Sequence, residues 1–167
     1  MSPRPTGRVV STPAGVDLVL ERQFRAPIED VWKSVTESES LSRWFGTWSG
    51  DAGPGKHVTL QMGFEKDAPP SQVLIETCEA PHHLAVHMKD DHGEWRLEAL
   101  LSQAGDVTTL RFVQRSVKPE DVASVGPGWE YYLDMLVAAR AGASLPDFGD
   151  YYPAMKEHFA AQLPPAK

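Results

Sequence analysis

The sequence predicts an α+β domain, with an antiparallel sheet through the middle of the chain and an amphipathic helix near its C-terminal end. Three observations predict it. Between residues 57 and 112, short runs of alternating apolar and polar residues are separated by turn residues, as in neighbouring antiparallel strands. Trp129, Leu133, Leu136, Val137 and Arg140 recur at i, i+4, i+7, i+8 and i+11, which on a helix sets them close to one face. The chain has 167 residues, 41% hydrophobic and 23% charged, which is long enough to bury a core and ordinary for a globular protein.

Residues 1–15 are expected to be a flexible N-terminal segment, because Pro3, Pro5 and Pro13 prevent a helix and little there is apolar. A single domain is expected over residues 16–163, with residues 164–167 as a tail. Val16, Leu18, Leu20 and Phe24 share one side of an alternating run that Arg22 interrupts, which predicts the first strand. Pro27 suits the first turn of a helix, and Ile28, Val31, Trp32 and Val35 follow as one apolar stripe. A second short helix is expected around Leu41 to Phe45.

Val58, Leu60, Met62 and Phe64 then alternate with polar neighbours, and Gln72 to Cys78 predicts another strand. Leu84, Val86 and Met88 form the inner face of the next. Asp90-Asp91-His92-Gly93 supplies turn chemistry, Trp95, Leu97, Ala99 and Leu101 resume the inner face, and Leu110 and Phe112 point inward from the last strand. Pro119 and the pair Gly126-Pro127 separate sheet from helix. On that helix Tyr132 stands beside the apolar face, and Glu130 and Asp134 point away from it. Gly142 to Pro146 ends it, and Tyr152, Met155, Phe159 and Leu163 predict a last, shorter amphipathic helix.

The formal net charge of −7 argues against nucleic acid and anionic membrane surfaces as partners, since both reward clustered Lys and Arg. The one cysteine, Cys78, forms no internal disulfide and rules out a zinc site built on several thiolates. Met1 to Ala14 lacks the apolar core of a signal peptide, no run approaches a membrane span, and a cytoplasmic protein is expected.

The order of strand, two short helices, several antiparallel strands and a long helix resembles the START-like superfamily, also called SRPBCC or Bet v 1-like. Arg25-Ala26-Pro27-Ile28-Glu29-Asp30-Val31-Trp32, leading into Arg43-Trp44-Phe45, resembles the N-terminal signature of homologues of the heat-shock-protein-90 ATPase activator. Gly128-Trp129-Glu130-Tyr131-Tyr132-Leu133-Asp134-Met135-Leu136 resembles the start of that branch's C-terminal helix. The resemblance spans residues 16–163. It implies a helix-grip fold in which a curved antiparallel sheet surrounds the long helix and leaves a cavity for a hydrophobic ligand. Some relatives use that cavity for cyclisation or hydrolysis. The branch also implies a chaperone partner, although the additional N-terminal domain of the eukaryotic activators is not in this sequence.

Several motifs bear on chemistry. Gly50-Asp51-Ala52-Gly53-Pro54-Gly55-Lys56 has the spacing of a phosphate loop, but His57 replaces the hydroxyl residue and a strand pattern follows, so a strand connection is expected. His82, His83, His87, Asp90, Asp91 and His92 are rich in metal-ligand types. Yet on a strand His83 and His87 stand roughly 13 Å apart and face outward, so no metal or cofactor is expected. No G-x-S-x-G nucleophile motif occurs, and Cys78 is expected to be inert packing. Glu76 shares a strand face with Leu74 and Cys78 while Val73, Ile75 and Thr77 take the other, which leaves its direction open. Pointing inward it would be a general base, and with Tyr132 it is the candidate pair for an enzyme.

With the resemblance, the aromatics become the candidate ligand-binding residues: Trp44, Phe45, Trp95, Trp129 and Tyr132, the last supplying an orienting hydroxyl. Trp32 and Phe112 are expected to be packing. The leading expectation is a binder of a small apolar molecule. The alternatives are a cyclase- or hydrolase-like enzyme in the same cavity and a co-chaperone-type interaction module.

Overall fold

The alternating runs become a strand ladder in the computed structural model, which describes residues 3–90 and 93–164. The strands are β1 (Arg8–Thr12), β2 (Gly15–Phe24), β3 (Gly46–Ser49), β4 (His57–Met62), β5 (Ser71–Glu79), β6 (His83–Asp90), β7 (Gly93–Ala104) and β8 (Val107–Val117). They form one eight-stranded antiparallel sheet in the order β1-β2-β8-β7-β6-β5-β4-β3. The helices are α1 (Ile28–Thr36), α2 (Ser38–Leu41), α3 (Val122–Ala141) and α4 (Lys156–Ala160). The chain divides into two compact units, Arg22–Phe112 and the combination of Met1–Glu21 with Val113–Lys167.

Within Arg22–Phe112, β3 to β7 are antiparallel neighbours with regular registers, except for a bulge in β5 between Ile75 and Thr77. α1 starts after Pro27 as expected and buries Ile28, Val31 and Trp32. Its last carbonyls lack helical partners. Two indoles supply them: Trp44 Nε1 donates to the Ser34 carbonyl at 2.8 Å, and Trp48 Nε1 to the Thr36 carbonyl at 2.7 Å. The second helix begins three residues before the expected Leu41, and β3 was not expected at all. Four residues are too few for alternation to show, and this strand exists because β4 pairs with it. Phe64 lies beyond the end of β4 and is exposed. Residues 50–56 connect β3 to β4, with Lys56 paired to Asp51 at 2.7 Å, and no helix follows the glycines. Asp91 and His92 of the expected turn lie outside the described residues.

Within the other unit, the segment expected to be a flexible lead-in instead contains β1, paired with β2 from Arg8↔Val19 to Thr12↔Gly15. The clamps that hold it come from residues more than 120 positions away. Glu130 of α3, fully buried, accepts from the Thr6 and Gly7 amides and from the Thr6 hydroxyl. Glu130 therefore does not point to solvent, as the helical spacing suggested.

α3 also starts at Val122 rather than after Gly126-Pro127. The proline removes one helical donor, but the helix runs through it. Gly126 is buried there because the Phe159 ring lies across it: a Cβ on Gly126 would stand 2.6 Å from that ring. Gly142 in the left-handed conformation (φ 66°) ends the helix. The last amphipathic segment is a turn followed by the short α4, with Tyr151, Met155 and Phe159 buried.

Candidate functional site

The registers of β5, β6 and β7 stack Val73 beside Met88 and Trp95, Ile75 beside Val86 and Leu97, and Cys78 beside Leu84 and Ala99. These residues share one face of the sheet, since paired residues point the same way. Val73, Ile75 and Leu97 are buried. Leu84, Val86, Met88, Trp95 and Ala99 are only half-buried. A face this apolar is ordinarily sealed by packing. Here the β6 and β7 stretch of it stays reachable from solvent, which makes it the candidate ligand surface.

The expected aromatic residues fall in two groups. In Arg22–Phe112, Trp44 and Phe45 lie with ring centroids 5.3 Å apart, and Trp95 sits on the half-buried face just described. Trp44 is buried and its indole N–H is committed to α1, so it offers a ligand no polar group. Phe45 is half-buried, as is Phe112, whereas Trp32 is buried as expected of a packing residue. In the other unit, Trp129 and Tyr132 are neighbours on α3 with centroids 6.1 Å apart, and both are buried. Trp129 Nε1 donates to Gln114 Oε1 at 2.6 Å. Gln114, itself buried, is a polar residue that the sequence did not single out. The only signal for it was an uncharged polar residue on the apolar side of the last strand.

Glu76 does not take the inward position that a buried base requires. It occupies the bulge, its side chain is 41% exposed, and its nearest cation is Arg96 at 3.9 Å. The bulge also overturns the expected face assignment. Ile75 opposes Val86 and Thr77 opposes the adjacent Ala85, so Thr77 leaves the face of Ile75 and Cys78 joins it. Cys78 is exposed rather than packed.

The opposite face of β6 and β7 is charged. His83 lies 3.8 Å from Glu79 and 3.9 Å from Glu98, and His87 lies 3.8 Å from Glu94. His82 turns its Nδ1 to the Leu101 carbonyl at 3.3 Å. Among the described residues, no three His, Cys, Asp or Glu side chains are grouped so as to hold a metal ion. No helix among them is long and apolar enough to cross a membrane.

Residues 25–140 match the family described as Activator of Hsp90 ATPase homolog 1-like protein. Among solved structures, CalU16 from Micromonospora echinospora is similar over 95% of this chain and 96% of its own, with 24% identity and a TM-score of 0.76. The protein encoded by gene BPP1335 from Bordetella parapertussis is 22% identical over 95% of this chain and 92% of its own, with a TM-score of 0.74. DynU16, from the dynemicin biosynthetic locus, is 19% identical over 79% of this chain and 50% of its own, with a TM-score of 0.68. No curated protein matches by sequence. These likenesses show the fold, which is the START-like helix-grip class.

Proposed function

Because the chain belongs to the Activator of Hsp90 ATPase homolog 1-like family, we propose that it binds a small apolar molecule on the half-buried face of β6 and β7. The observation that carries this reading is the partial exposure of Leu84, Val86, Met88 and Trp95, four apolar side chains in register on adjacent strands. Burying such surface releases roughly 25 cal/mol per Å². A flat hydrophobic ligand that covers it therefore gains affinity without a charged anchor. Trp95 gives the ligand an aromatic face, and the methionine beside it adapts to ligand shape. The exposed position of Glu76 favours this reading over an enzymatic one that would use that carboxylate.

The test is a titration with a neutral fluorescent apolar probe, N-phenyl-1-naphthylamine, followed by probe emission and by tryptophan quenching. Saturable binding near one probe per chain is expected, weakened at least tenfold by Met88→Lys and by Trp95→Ala. Folded wild-type protein that shows no saturable signal would sink the proposal. So would binding that survives both substitutions.

A further inference from the structure

We infer that the outer edge of β1 is a docking edge for a second copy of this chain, and that the Gln162 side chain holds it half closed. β1 ends the sheet, so every second residue aims its N–H and C=O away from β2. The outward residues are identified by their bonds. The Val9 amide donates to Gln162 Oε1 at 3.0 Å, and the Gly7 carbonyl accepts from Gln162 Nε2 at 3.1 Å and from His158 Nε2 at 2.8 Å. One carboxamide thus stands in for a neighbouring strand over residues 7 to 9. Alternation then aims the Val9 carbonyl and both backbone groups of Ser11 outward as well, and among the described residues these three have no partner.

The open groups fit β1 of another copy. An antiparallel pairing about a two-fold axis at Val10 sets Val9 opposite Ser11 of the second copy. The complete pairing makes four backbone hydrogen bonds, two of them donated by the Val9 amides. With Gln162 in place those two are blocked, and only the Ser11 amides donate. The side chains are compatible: Val10, 43% exposed, meets its own copy in a close apolar pair, and Arg8 meets Thr12 with no like charges opposed. β3, the other end strand, offers no such edge at its centre, because the Trp48 amide and carbonyl are both bonded to the Ser38 hydroxyl at 2.9 and 3.0 Å.

Sedimentation equilibrium of the full chain, with folding checked by circular dichroism, tests the inference. Gln162→Met keeps the length of the side chain and removes its hydrogen bonds. It is expected to tighten self-association at least tenfold over wild type, and adding Ser11→Pro, which deletes the Ser11 donor and sets a ring where the second copy's Val9 carbonyl must approach, is expected to restore the monomer. A folded Gln162→Met protein that associates no better than wild type overturns the inference, as does a dimer indifferent to Ser11→Pro. Hydrogen exchange on the wild type, at a concentration where sedimentation shows the monomer, needs no variant to fold. The Val9 amide must exchange more slowly than that of Ser11, and equal rates would mean that Gln162 guards nothing.

Discussion

The two compact units handle charge in opposite ways. In the unit that joins the chain's ends, the carboxylates of Asp17 and Glu130 are buried and answered by backbone amides. Asp17 accepts from the Ser116 amide at 3.0 Å and from Arg115 at 2.9 Å, and Glu130 binds Thr6 and Gly7. In Arg22–Phe112, the carboxylates of β5 and β7 lie on an outer sheet face, 3.8 to 3.9 Å from nitrogens of His83, His87 and Arg96. The difference teaches where a charge matters to stability. A buried carboxylate that satisfies backbone donors cannot be removed without stranding them, whereas an exposed one is replaced by water.

The sharpest way to break this contrast is at Glu130. Glu130→Gln keeps the shape but turns an amide donor toward donors, and it is expected to cost about 3 kcal/mol in urea denaturation. Exchange of the Thr6 and Gly7 amides should accelerate at the same time. A loss under about 1 kcal/mol would mean that the carboxylate does not hold the N-terminal segment.

Packing in the same unit supplies the next effect. The Phe159 ring lies between two glycines, and a Cβ on either Gly7 or Gly126 would stand 2.6 Å from it. Gly126→Ala raises intrinsic helix propensity, so propensity alone predicts a gain of up to about 1 kcal/mol. The contact predicts a loss of about 2 kcal/mol, because a fully buried ring has nowhere to go. The sign of the measured change decides between them. Asp17→Asn should follow at about 1.5 kcal/mol, since it keeps one acceptor for the Ser116 amide but loses the charge facing Arg115.

How much of this was legible in the sequence depends on how local its cause is. Strands β4 to β8 follow from alternation within each run, and α1 from Pro27 and its apolar stripe. β1 and β3 are short, and what defines them is a partner strand or a distant side chain, so no window of residues reveals them. The start of α3 was misplaced because Gly126-Pro127 is punctuation by local rules, while the buried contact with Phe159 overrides those rules. At the candidate site, Trp95 and its apolar neighbours were legible as a strand face. Trp44 was legible only as an aromatic residue, because its indole caps a helix ten residues earlier in the chain. The outward turn of Glu76 depends on the bulge, which a strict period of two cannot show.

The smallest predicted effect guards the other side of the contrast. Glu94 is 3.8 Å from His87 and 3.9 Å from Arg96, with half of its side chain in water. Counting contacts would rank it above Asp17, since an imidazole and a guanidinium both face it. Geometry and solvent argue otherwise: neither contact is short enough for a hydrogen bond, and water screens both. Glu94→Gln is therefore expected to change stability by less than about 0.5 kcal/mol, with little dependence on added salt. A loss above about 1 kcal/mol that disappears in high salt would show the outer face to be a cooperative charge network. The two units would then differ in how their charges are held, through solvent or through the backbone, but not in how much stability depends on them.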